Sequence, residues 1–166
     1  MTPEFNLDGN LTGECGTDMS MHLAEMARQI RNQTIVQLKA APEGWLLWAP
    51  PGTSNHILWH AGHSLWAQDA LCVEPLTGAS ELPAGWEHSF GADCRPVRET
   101  QHWPERGEVL RLLERQLVRL QDLFRERAEQ LTDSALAAQI VHGLHDEARH
   151  QGEMFLLLKL RRAQGD

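Results

Sequence analysis

Basic residues are scarce. Fifteen Lys and Arg stand against 23 Asp and Glu, a formal net charge of -8 with a pI near 5.5. The concentrated cationic surface that a phosphate backbone requires is therefore missing, and nucleic acid is not an expected partner. Cysteine is scarcer: Cys15, Cys72 and Cys94 are odd in number, far apart and without a C-x-x-C pair. They suggest neither a disulfide framework nor a thiolate zinc site, and they fit a reducing cytoplasm. The longest hydrophobic runs fall short of a membrane span, and the N-terminus lacks the basic start and apolar core of a signal peptide. A soluble, cytoplasmic protein away from membranes is expected. Tyrosine is absent, yet six Trp and a 42% hydrophobic share supply a core and speak against general disorder. At 166 residues one domain is enough.

Read in order, residues 1–16 carry Gly, Asn, Asp and Thr without sustained periodicity and read as a flexible lead to a domain over 17–166. Met19, Leu23, Met26, Ala27, Ile30 and Leu38 recur at helical spacing behind a cap at Thr17 or Asp18, which makes a first helix. Pro42, Gly44 and Pro50-Pro51-Gly52 forbid its continuation, so 41–53 is a loop whose Trp45 and Trp48 either close the core or wall a pocket. A second helix follows a cap at Ser54 or Asn55, with Ile57, Leu58, Ala61, Leu65 and Cys72 as its apolar arc. Four of the eight prolines fall in 73–104, which reads as a long crossover pinned by Trp86, Phe90 and Trp103. A third helix from about Glu105 to Leu131 has a near-heptad apolar stripe and a solvated Arg/Glu face. Thr132 and Asp133 stop it and cap a fourth, which ends in Lys159, Arg161 and Arg162, where cations suit the helix dipole. The fold class is all-α: a four-helix bundle with a long crossover between its second and third helices.

Two stretches carry side chains able to bind a metal or move a proton. His142, Asp146 and His150 stand four apart, and a four-residue step drifts only ~40° around a helix, so Asp146 and His150 can grip one ion. His56, His60 and His63 lie at i, i+4 and i+7 on the second helix, within ~60° of one another. A rival spacing is Glu147 with His150, three apart as in the Glu-x-x-His pairs of carboxylate-bridged bundles. Glu147 also lies nearer the apolar arc than Asp146, where it could be a buried acid that orients a histidine. His60, His142 and His145 are further candidates for that supporting role. A buried hydrogen-bonded cluster without metal remains the plainer alternative. His22, His88 and His102 have no partner at helical spacing, and Cys72 and Cys94 show no base motif that would make either a nucleophile.

The segments NHILWHAGHSLW, LPAGWEHSFG and HDEARHQGEMFLLLKL together resemble the DinB-like superfamily over roughly residues 18–163. The resemblance implies a four-helix bundle whose members often hold a divalent metal on one histidine of the second helix and a four-spaced pair on the last. Carried over, the first falls on His63 and the last on His150. The position four before His150, often His in the family, is Asp146 here, and an acid at that place resembles the mycothiol-dependent isomerase branch. A His63, Asp146, His150 site suits Zn, Ni, Mn or Fe. Two functions remain open: a metal-dependent enzyme, by analogy a thiol S-transferase using a low-molecular-weight thiol or a hydrolase of a small-molecule substrate, and a non-catalytic bundle that binds a small ligand or partner with a structural metal or none. The sequence leaves a homodimer open.

Overall fold

The computed structural model describes residues 12–94, 96 and 102–165, with side chains from Met19 onward. Helix α1 spans Thr12–Ala40, α2 Ile57–Gln68, α3 Glu74–Thr77, α4 Trp86–Phe90, α5 Arg106–Glu126 and α6 Ser134–Ala163, with 3-10 turns at Glu43–Trp45 and Gln130–Thr132. The all-α class expected from the sequence is the one observed, and no strand occurs among the described residues. Helix α1 packs on α5 and α6, and α2 packs on α6 and α5. No helix among the described residues is long and apolar enough to cross a membrane.

Several boundaries differ from those the sequence suggests. Helix α1 begins at Thr12, ahead of the cap expected at Thr17 or Asp18; Gly13 and Gly16 lower helix propensity there without forbidding a turn. The lead expected over 1–16 otherwise lies outside the described residues. His56, not Ser54 or Asn55, caps α2: its Nδ1 accepts from the Trp59 N–H at 3.1 Å. The second helix also runs on past Cys72, through a π turn at Asp69–Val73 into α3, and stops at Gly78, whose φ of 86° is left-handed. Pro75 has no N–H for the carbonyl four residues back, and the widened π turn lets the chain pass it. The crossover is accordingly shorter than expected and holds α4. Asp133 caps α6 as expected, accepting from Ala135 N at 2.8 Å, whereas α5 ends at Glu126 rather than Leu131.

The interior is two apolar cores with a polar layer between them. One core gathers Leu38, Ile57, Leu65, Phe90, Val109, Leu113 and Met154. The other gathers Leu23, Ala27, Val73, Leu120, Phe124, Ile140 and Leu144. On each long helix a polar residue falls between the two sets: Arg31 on α1, Gln68 on α2, Gln116 on α5 and Glu147 on α6, all buried. Glu147 Oε1 accepts from Arg31 Nε at 2.8 Å and from Thr34 Oγ1 at 2.8 Å. Its Oε2 accepts from Arg31 Nη2 at 2.9 Å and Gln68 Nε2 at 2.8 Å. The remaining Arg31 donors meet Gln116 Oε1 at 3.0 Å and the Leu113 carbonyl at 3.3 Å. Burial of such a charge is tolerable only with this degree of pairing.

Candidate metal centre

Helix α2 is buried on nearly every side, so its histidines must find protein partners, and two of them face α6. His63 lies with its ring stacked on Trp59 at 4.7 Å between centroids. Its Nδ1 is 2.7 Å from the Phe90 carbonyl oxygen, which can only accept, so Nδ1 carries the proton and Nε2 presents a lone pair. That Nε2 is 3.5 Å from Asp146 Oδ2, and His150 Nε2 is 3.5 Å from the same oxygen. Asp146 Oδ1 accepts from Arg149 Nη2 at 2.5 Å. His63, Asp146 and His150 thus bring one donor atom each within 4.8 Å of the others.

The opposite edge of His150 meets a second group. Its Nδ1 is 2.8 Å from His60 Nδ1, and Glu153 Oε2 is 3.2 Å from His60 Nδ1 and 3.6 Å from His150 Nδ1. Burial, with the neighbouring His150, His56 and His63 adding to it, pushes the His60 imidazole down to about 3, so it is neutral near pH 7. For Asp146, burial acts upward, but the Arg149 guanidinium on Oδ1 pulls the other way and holds the carboxyl below the usual carboxylate range.

Two atoms decide whether an ion fits. Asp146 Oδ2 and His150 Nε2 are both buried and neither has a hydrogen-bond partner among the described residues, since 3.5 Å is too long for a good bond. Buried polar atoms are almost always satisfied, and an unpaired pair facing a third lone pair, on His63, needs an explanation. Two imidazole nitrogens and a carboxylate are a sound donor set for a divalent transition metal. The residues present therefore fit such an ion. The sequence profile of the DinB superfamily matches residues 26–157, most of the chain. The chain belongs to the DinB superfamily. A comparison with curated proteins finds no match.

Among the residues singled out from the sequence, His60, His63, Asp146 and His150 come together, while the other members of the DinB stretches do not. His142 and His145 are exposed on α6, as are His88 and His102 elsewhere. Glu147, expected to orient a histidine, turns instead to Arg31, because a buried guanidinium across the bundle is the stronger partner. Glu153 was not singled out, although its place three residues after His150 is the helical spacing that could have marked it. Cys72 is buried, which pushes its thiol up to about 12 and leaves it inert.

The crossover holds His63 through Gly62. A Cβ at Gly62 would lie 2.2 Å from the Phe90 ring, and Trp86 Nε1 donates to the Gly62 carbonyl at 3.0 Å. Only glycine lets α4 seat this closely and bring the Phe90 carbonyl to His63. Gly62→Ala should therefore destabilise the fold by about 1–3 kcal/mol through displacement of Phe90 and loosen metal retention at the same time. Thermal melts with and without added metal would check this; an alanine variant that melts and binds like the parent would contradict it.

Proposed function

We infer that the chain is a divalent-metal-dependent enzyme in which His63, Asp146 and His150 hold the ion, with a coordination position open toward a cavity of about 880 Å3 that His63 and His150 help to line. The observation that carries this is the buried, unpartnered pair Asp146 Oδ2 and His150 Nε2. It also favours this donor set over His60, His150 and Glu153, whose two imidazoles already satisfy each other at 2.8 Å. An ion there would lower the pKa of a bound thiol or water toward neutrality. The protein's part is to orient and to balance charge. The Phe90 carbonyl fixes His63 with Nε2 inward, and a proton on His150 Nδ1, donated to His60, leaves His150 Nε2 free. Two neutral imidazoles and one carboxylate give a divalent ion a residual positive charge, which favours an anionic ligand such as a thiolate. Thiol S-transfer with a low-molecular-weight thiol is the first reading, supported by the acid at position 146; hydrolysis is the second.

The test compares metal-loaded and metal-stripped protein against thiols paired with electrophiles, and against simple esters and amides. Metal-dependent thiol consumption is expected. Stoichiometric metal with no turnover of any pair would favour a bundle that binds a small ligand around a structural ion, a reading to which the ready-made His60–His150 contact lends some support.

A further inference from the structure

The cavity continues well past His63 and His150, and its lining changes character along one helix. On α6 it is lined by Arg149, His150, Glu153, Leu156, Leu157 and Leu160. Steps of three and four keep these residues on one side of the helix, and from His150 to Leu160 that side runs ~15 Å. Its first turn offers nitrogen, carboxylate and guanidinium; the next two offer leucine. Leu157 is buried, whereas Leu156 and Leu160 are 53% and 41% exposed. Single exposed leucines are ordinary on a protein surface. Two of them, one turn apart in a cavity that His63 and His150 also line, form an apolar strip continuous with the site. The rest of the lining is mixed: Gly52, Thr53, Ser54 and Asn55 are small or polar, and Pro50, Trp59, Ala92 and Cys94 are apolar. A strip that is one helix side wide and runs along the helix axis away from His150 matches a chain better than a ring.

Resting on the reading of the site given above, we propose that the substrate meeting the ion carries an unbranched aliphatic chain, laid along Leu156, Leu157 and Leu160 with its reactive head beside His150. The three leucines do not depend on the ion, so the seat they form is measurable in both forms of the protein.

Leucine methyl resonances of the metal-free protein are followed as straight-chain primary alcohols from ethanol to decanol are added. Shifts confined to Leu156, Leu157 and Leu160 are expected, with affinity rising about fourfold per added methylene in the middle of the series. In the Leu156→Asn, Leu160→Asn double variant the dependence on chain length should vanish; both side chains are exposed, so its far-UV circular dichroism should match the parent's. A flat series in the parent, or shifts elsewhere in the core, would overturn the proposal. A second arm titrates cobalt(II)-loaded protein with straight-chain hydroxamic acids and reads the visible band. Failure to bind cobalt overturns the metal reading and leaves the alcohol series to decide the chain. A band that responds to the head with no dependence on length overturns the chain and leaves the metal reading standing.

Discussion

Glu147→Ala should destabilise the fold by about 3–5 kcal/mol, the cost of leaving a buried charge without its partner. Both carboxylate oxygens are occupied, by Arg31, Thr34 and Gln68, and the residue is fully buried. Without it the Arg31 guanidinium, 1% exposed, keeps only neutral acceptors in a place water does not reach. Because the layer ties α1, α2, α5 and α6 together between two apolar cores, the loss should be felt as one cooperative unfolding transition at lower denaturant. Arg31→Met combined with Glu147→Leu should cost much less than the sum of the single changes, since no charge is then stranded. Urea midpoints for the four corners of that cycle check this; a single variant within about 1 kcal/mol of the parent would contradict a paired buried charge.

His150→Ala should abolish stoichiometric metal binding while leaving the helical fold intact. Loss of a supporting partner alone costs about 10–100-fold in metal affinity, and loss of a direct donor should exceed that. Stability should change little, because both apolar cores and the Arg31–Glu147 pair keep all their members and His60 keeps Glu153 Oε2 at 3.2 Å. Asp146→Asn should be milder in retention, because an amide oxygen still approaches the ion without its balancing charge. Metal content, far-UV circular dichroism and turnover, measured on the same preparations, separate a lost ligand from a lost fold. His150→Ala protein that retains metal as the parent does would place the ion elsewhere.

Much of this was legible because helices write their faces into spacing. The four long helices follow from apolar recurrence, and Asp146 with His150 follows from a four-residue step that any helix must stack. The end of the second helix was not legible, since Pro75 usually stops a helix and only a π turn carries this one past it. The polar layer was within reach. On α1 the buried positions Leu23, Ala27, Arg31, Thr34 and Leu38 keep the spacing of one face, so an arginine in that face announces a buried acid across the bundle. Apolar residues such as Met19 and Met26, which looked like core, lie half-exposed beside that face; on α6, Val141 and Phe155 do the same. The orientation of His63 could not be read, because its partner is a backbone carbonyl and every residue has one. Gly62 was the available hint, a small residue beside a histidine where another element comes close.

If His63, Asp146 and His150 hold one divalent ion, the purified protein should carry it. Elemental analysis of protein purified without a histidine tag, after equilibration with zinc, nickel, manganese or iron and removal of excess, tests it most directly. About one ion per chain is expected for at least one of these metals, retained near neutral pH. Protein that emerges with only trace metal from all four would contradict it and leave a polar cluster in place of a metal centre.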